Sequence, residues 1–450
     1  MTKDIISTYD LYNRKIKEQY SNNGTILTKQ FEYDYLDRLT RETDFNGNAT
    51  VYEYAYDGQP TKITNAAGET VTTVYDLAGR KISVTDAQGN TTYTYYDKMD
   101  RVIKETSPFD TTRTAETKTY YDKNSNVVKT AVKSGDSSYQ IQEYKYDNMG
   151  NVIGTIANDE TTNNVVQYTY DTANRITQMI TGLPEYALNP TGGAVTQYSY
   201  DSLGNLMQKT DPMGMSEYYM SYNNAGNACR IIDKNGNVQR SEYGAYGLER
   251  TYFENSSESK EYMYDKLGRL IKTTATSETG EETEESYEYD VFGRMIKKTS
   301  ANGSVQNYVY DANSNITSHE LKMNGTTQNL TEYIYNNVNR ITTLANNGIT
   351  TSYTYDANGN ITEKALSNGV TTTYAYNNAG LMTYTETRNG ENVYTYSDCQ
   401  YMLNGLLTNV EMPGTEKAYE YDGIGRLTGE TVTTGTTVSV SDTYSDDCIS

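Results

Sequence analysis

The sequence predicts an all-β chain, antiparallel β-hairpin repeats joined into one continuous spiral sheet that forms a partial hollow shell, or cocoon. Three observations predict it. A tyrosine-centred motif recurs along nearly the whole chain. The segments between its copies read as short alternating strands punctuated by Asn-Gly and Asp…Gly turn signals. No stretch of useful length carries helical periodicity.

The motif is Tyr-x-Tyr-Asp-x-x-Gly-Arg/Asn-apolar. Clear copies centre on Tyr146, Asp147 and Gly150, on Tyr200, Asp201 and Gly204, and on Tyr264, Asp265, Gly268 and Arg269. Others centre on Tyr289, Asp290, Gly293 and Arg294, and on Tyr421, Asp422, Gly425 and Arg426. In all, 19 copies can be anchored between Tyr9 and Tyr421, 19 to 30 residues apart; those at Tyr56, Tyr243 and Tyr401 are degenerate. The two tyrosines stand two residues apart and so project from one face of a strand. The Asp carboxylate can fold back onto backbone N–H groups and open a turn. Four residues past the anchor tyrosine the chain needs a residue tolerant of positive φ. Gly fills that place in 11 of 19 copies, and Asn, Asp or Ser fills it in all others but Pro60. Pro60 cannot take that conformation, so its copy must turn differently.

A second strand follows each such turn, as at Arg80–Thr85 and Arg294–Thr299. A second turn then closes the repeat. It is Asp…Gly-rich at 44–48, 86–90 and 233–237, and a bare Asn-Gly at Asn302-Gly303, Asn324-Gly325 and Asn347-Gly348. Each repeat is thus two strands and two turns. Nineteen repeats give roughly 38 strands, a sheet about 180 Å wide at ~4.8 Å per strand. Rolled up once, that width makes a circle about 60 Å across, so the expectation is about one turn of wall. Tyrosine suits such a wall, and a ladder of about 20 cross-strand aromatic pairs would contribute on the order of 10 kcal/mol.

Composition supports a wall over a solid globule. Of 450 residues, 47 are Tyr, 5 Phe, 1 His and none Trp, and hydrophobic residues make up only 36%. Few aliphatic side chains remain for a thick dry core. The formal charge of −21 excludes nucleic acid and anionic membrane surfaces as partners, because both require clustered Lys and Arg. No stretch approaches 18 apolar residues, so no membrane-spanning helix is expected. The N-terminal segment lacks the apolar region of a signal peptide. Cys229, Cys399 and Cys448 are too few and too scattered for a disulfide framework.

No catalytic, cofactor-binding or metal-binding residue is expected, and the chain does not read as an enzyme. The sole histidine, His319, is followed by Glu320 but lies in no His-Glu-x-x-His and has no nucleophile elbow beside it. There is no Gly-Lys for a phosphate loop and no Cys-x-x-Cys. The segments 122–126, 311–315 and 356–360 mimic the start of a calcium loop, but they lack its Gly at position 6 and Glu at position 12. They are expected to be repeat turns.

The in-phase Tyr-Asp-x-x-Gly-Arg/Asn copies, over about residues 7–430, resemble the YD-repeat (RHS-repeat) family. That family includes bacterial RHS and wall-associated toxins, the B and C components of toxin complexes, and the shell of animal teneurins. The resemblance implies a strand ribbon wound into a hollow cocoon, which in bacterial members encapsulates a C-terminal toxin. Residues 1–430 would form the array, and residues 431–450 a terminal strand with an acidic tail. No segment matches the family's RHS core or a C-terminal toxin domain, which implies a fragment supplying wall without plug or cargo. The expected role is a structural shell segment of a secreted or surface-exposed polymorphic-toxin-like protein. Its expected partners are the rest of the shell and an effector domain in a longer chain, with edge-to-edge self-association through unpaired strand edges. The alternative is a cell-surface adhesion or carbohydrate-binding module, with a surface glycan or protein as partner.

Overall fold

The computed structural model describes residues 5–22, 25–158, 163–188, 190–422, 424–435 and 437–443. The acidic tail Ser445–Ser450, and Cys448 with it, lies outside the described residues. Among the described residues there are 39 strands and no helix, and all strands belong to one sheet. The first strand is Ile5–Tyr9 and the last Thr437–Thr443. Each strand pairs antiparallel with its neighbours in sequence, from the first pair to the last. The topology is therefore an unbroken meander, the arrangement that tight turns between alternating strands dictate.

The turn after each motif tyrosine is the same in nearly every repeat. In Asp265–Arg269, the Asp265 N–H donates to the Arg269 carbonyl (2.9 Å) and the Gly268 N–H to the Asp265 carbonyl (3.0 Å). The register slips by one residue at the motif tyrosine, between Met263 and Tyr264. This is a type I turn closed by a bulge whose last residue is left-handed. Residues other than glycine at that place adopt it too: Asn13, Asp37, Asp100, Ser125, Asn174, Ser314 and Asn339 all have φ between 61 and 74°.

Two expectations about the turns need correction. The third repeat is anchored on Tyr54, not Tyr56. Its strand ends at Tyr54, its left-handed residue is Gly58 (φ 91°), and Pro60 opens the next strand. A shift of two residues thus removes the conflict that Pro60 posed. Asn302-Gly303 is likewise no bare two-residue turn. It lies inside a five-residue turn in which the Ser300 N–H donates to the Ser304 carbonyl. Asn324 and Asn347, by contrast, do have positive φ beside their glycines, as a two-residue hairpin requires.

The sheet winds onto itself. The turn 44–48 follows the fourth strand and touches the turn 311–315, which follows the twenty-seventh: Asn313 Nδ2 donates to Asp44 Oδ2 at 2.7 Å. The turns 65–69 and 336–340 meet in the same way, as do 86–90 and 356–360. Further along, the Ala379 N–H donates to the Phe109 carbonyl (3.3 Å) and the Leu403 N–H to the Ser134 carbonyl (3.1 Å). Every one of these pairings spans 23 strands. The expectation of a single turn of wall is therefore corrected: one wind takes 23 strands, and 39 strands make about 1.7 winds. At ~4.8 Å per strand a wind is roughly 110 Å around and about 35 Å across.

Little of this wall is a dry core. Among the described residues the buried apolar side chains are Tyr20, Phe109, Ala131, Val165, Ile180, Leu183 and Leu403. Three of them, Val165, Ile180 and Leu183, form one cluster with Ile156, Tyr186 and Val195 packed against it. There the segment after Leu183 folds back over the sheet. Tyr186 lies so close above Gly154 that an added Cβ would sit 2.5 Å from its ring. The buried Gln167 amide both donates to and accepts from the backbone of Ala187.

Candidate functional site

The motif residues come together as a clasp repeated along the rim of the sheet. In Asp265–Arg269, Asp265 Oδ1 accepts the N–H groups of Leu267 (2.9 Å) and Arg269 (3.0 Å). Its Oδ2 accepts Arg269 Nε at 2.7 Å. The other end of the Arg269 guanidinium reaches the next repeat, where it donates to the Asp290 carbonyl (3.0 Å) and lies over the Tyr289 ring at 5.0 Å. Tyr289 in turn donates its hydroxyl back to the Leu270 carbonyl at 2.7 Å. Where the motif carries Arg, one arginine and one tyrosine therefore tie a repeat to its predecessor. Asp290, Gly293 and Arg294 repeat the geometry (Arg294 Nε to Asp290 Oδ2, 2.6 Å), as do Asp422, Gly425 and Arg426 (2.6 Å).

Where the motif has Asn in place of Arg, the intra-turn half survives. Asp147 Oδ2 accepts Asn151 Nδ2 at 2.9 Å and Asp201 Oδ2 accepts Asn205 Nδ2 at 2.8 Å, while Gly150 and Gly204 take φ of 87 and 94°. The tyrosine half recurs in both kinds of repeat. Tyr146, Tyr200 and Tyr264 donate to the carbonyls of Val127, Ile176 and Leu248, each in the preceding repeat. Burial pushes all three phenols above their ordinary pKa. The Arg side chains hold Asp76, Asp97, Asp171 and Asp265 below the usual carboxylate range, chiefly through the side-chain hydrogen bond.

The sequence pattern anticipated the turn role of Asp and Gly, but not the reach of Arg and Tyr into neighbouring repeats. Nor is the predicted aromatic ladder what holds the wall. Among the described residues the ring–ring contacts are Tyr20 with Phe45 and Phe292, and Tyr308 with His319. The motif rings instead face guanidinium groups. The signal for this was present: Arg closes a turn four residues after Asp, one repeat before the next Tyr-Asp pair.

A second set of contacts joins the winds. Arg340 makes a two-pronged pair with Glu69 (2.6 and 2.8 Å). Burial pushes the Glu69 carboxyl up, but Arg340 and the Asn65 amide more than reverse this and hold it below its ordinary value. Asn358 Nδ2 donates to Asp86 Oδ2 at 2.7 Å, and Arg113 to the Tyr401 carbonyl at 3.2 Å. These pairs lie 271 to 288 residues apart, and no local pattern announces them.

The calcium-like segments have their carboxylates occupied by the turn itself. Asp122 accepts the N–H groups of Asn124 and Asn126 and the Asn126 amide. No group of three or more metal-ligating side chains occurs among the described residues. His319 lies in a strand, stacked on Tyr308 with centroids 4.8 Å apart. Cys229 and Cys399 are free thiols.

The sequence model of the teneurin YD-shell family matches residues 2–95, 81–212 and 214–400. The chain belongs to that family. Its YD-shell sheet is similar to solved structures at low sequence identity. One is the crystal structure of TcdB2-TccC3 without its hypervariable C-terminal region, with a TM-score of 0.65 at 13% identity over 95% of this chain. Another is the Tc holotoxin pore of Photorhabdus luminescens, with a TM-score of 0.64 at 14% identity, also over 95%. The YD-shell chain spans about a quarter of the length of these solved chains, 25% and 24% respectively. No curated protein sequence matches it. No helix among the described residues is long and apolar enough to cross a membrane.

Proposed function

We propose that the chain is a wall segment of a toxin-like shell, and that its role is to enclose an effector carried by a longer chain or a partner. One observation carries this reading: a continuous sheet returns onto itself every 23 strands instead of folding around a core. A wall about 35 Å across leaves a hollow roughly 20–25 Å wide once inward side chains are allowed for, whereas eight strands close a barrel that side chains fill. A helix with its side chains is ~10–12 Å thick, so the hollow has room for a loosely folded polypeptide. Fold similarity to toxin-complex chains supports the same reading. On this reading the working protein acts outside the producing cell or on its surface.

At Tyr95 the geometry does not favour the adhesion reading. The ring of the half-exposed Tyr95, a natural stacking platform for a sugar, is covered by Lys104 with its ammonium 4.2 Å from the centroid. The test is electron cryomicroscopy of the purified chain together with small-angle scattering. A curved single-layer wall around a solvent-filled lumen is expected. A filled ellipsoid would overturn the proposal.

A further inference from the structure

The two faces of the sheet differ. Tyr96, Tyr121, Tyr264, Tyr310 and Tyr335 stand on one face and are half-buried. The residues just before them, Tyr95, Tyr120, Met263, Val309 and Ile334, project from the other face and are exposed. Side chains crowd on the concave side of a curved sheet and spread on the convex side, so the second face is the outer one. One field of it is basic. Strand pairing sets Tyr95 beside Lys104, Lys104 beside Lys118 and Tyr120 beside Lys129, and alternation brings Lys133 and Lys145 to the same face. These five lysines meet two glutamates. Glu116 pairs with Lys104 and Lys118, and Glu143 with Lys129, which leaves Lys133 and Lys145 without an ion pair among the described residues. Residues 93–145 carry nine Lys and Arg against eight Asp and Glu in a chain of formal charge −21, so the net charge conceals a local cluster. Two open depressions of about 500 and 430 Å³ meet at Tyr120. Tyr95, Arg101, Lys104 and Lys118 line one, and Lys129, Glu143 and Lys145 the other. Lys104, Lys118, Lys129 and Lys145 therefore run diagonally across four strands in steps of about 5 to 8 Å.

We propose that this field binds an acidic polysaccharide, a stiff chain of sugars with carboxylates at regular intervals. The strands are paired on both sides, so a peptide cannot add to them as a further strand, and the depressions are too open to anchor its side chains. A neutral sugar or a nucleic-acid base needs a free ring to stack on. Lysine ammonium groups stand 4.2 Å from the Tyr95 centroid and 4.6 Å from that of Tyr139. An acidic sugar meets those same ammonium groups, with phenol edges between them. The proposal concerns the outer wall and goes beyond the enclosing role. The two fail separately, because imaging tests the lumen and polysaccharide binding tests this field.

The experiment is titration calorimetry of the full chain with polygalacturonate, beside neutral dextran, polyglutamate and a single-stranded oligonucleotide. Polygalacturonate should bind tightest, and added salt should weaken it. A triple variant, Lys118→Gln, Lys129→Gln and Lys145→Gln, should bind it roughly tenfold more weakly. A control triple, Lys272→Gln, Lys297→Gln and Lys322→Gln, loses the same charge elsewhere on the outer face and should bind like the parent. Thermal melting checks that both fold. Lys145→Gln alone, at an exposed position, should show a smaller loss and carries the test if the triple variant melts early. A parent chain that does not bind polygalacturonate would overturn the proposal. So would equal binding of dextran, tighter binding of polyglutamate or the oligonucleotide, or equal effects of the two triple variants.

Discussion

The turn Asp265–Arg269 and the cluster around Val165 are two answers to the same problem, how a sheet one layer thick holds its shape. Around Asp265 most side chains are half exposed, and the order comes from a polar chain of contacts passed from repeat to repeat. Around Val165, which is fully buried, the chain inserts the segment after Leu183 as a lid over one face and makes an ordinary dry contact beneath it. The difference teaches that a lone sheet has no place to bury aliphatic side chains unless something lies on top. Where nothing does, hydrogen bonds and charge must supply the lateral cohesion.

Acid should separate the two regions most strongly. The clasp carboxylates have folded pKa values below their unfolded ones, as at Asp76, Asp97, Asp171 and Asp265. Between those values the unfolded chain binds more protons than the folded one, so stability rises with pH there. The contribution is complete above about pH 4 and is lost as pH falls through the folded values. Hydrogen exchange, corrected for intrinsic rates, should show amide protection fading at the turns 76–80, 171–175 and 265–269 first. Protection of the strands Asn163–Tyr170 and Ile176–Leu183 should outlast it. Simultaneous loss in both regions would show that the clasp is not the acid-sensitive element.

Leu183→Ala attacks the other region. Leu183 is 3% exposed in the cluster, and its truncation should cost about 2–5 kcal/mol, read as faster local opening of strands 163–183 with the clasps elsewhere unchanged. An effect that spread evenly along the array would mean the cluster is not a separate unit. Tyr264→Phe removes only the hydroxyl given to Leu248 and should cost about 1 kcal/mol, felt by the two strands it bridges. A neutral result would leave ring stacking, rather than the hydroxyl, as the reason for tyrosine.

How much of this was legible depends on distance along the chain. The hairpin, the left-handed position and the role of Asp147 or Asp265 follow from residues within five places of one another, and the sequence states them openly. The tie from Arg269 to Tyr289 crosses one repeat and could be read only by asking what closes each turn and what begins the next. The pitch of 23 strands is set by the curvature that many small twists accumulate, and no residue encodes it. Counting strands gave the width of the ribbon but not its radius, and so missed the second wind. Tyr56 misled for a local reason: a Tyr-Asp pair inside a turn mimics the pair that ends a strand.

Glu69→Gln is the smallest perturbation and the one that isolates the winding. Glu69 and Arg340 are largely screened from solvent and meet in a two-pronged pair, but each is anchored by a turn that forms without the other. Gln keeps the shape and the acceptor oxygen while removing the charge, so the expected cost is about 0.5–1 kcal/mol. The backbone of the turn 65–69 should stay formed, because Asn65 Oδ1 still accepts the N–H groups of Ala67 and residue 69, and only the Asn65 Nδ2 bond to the residue 69 side chain weakens with the charge. The loss should appear instead at the seam, as exchange at the Ala379 N–H, which donates to Phe109 across the winds two repeats further along. A seam that zips as a unit transmits the loss to that amide. A seam made of independent contacts leaves its protection unchanged, and the winds would then be held one turn at a time.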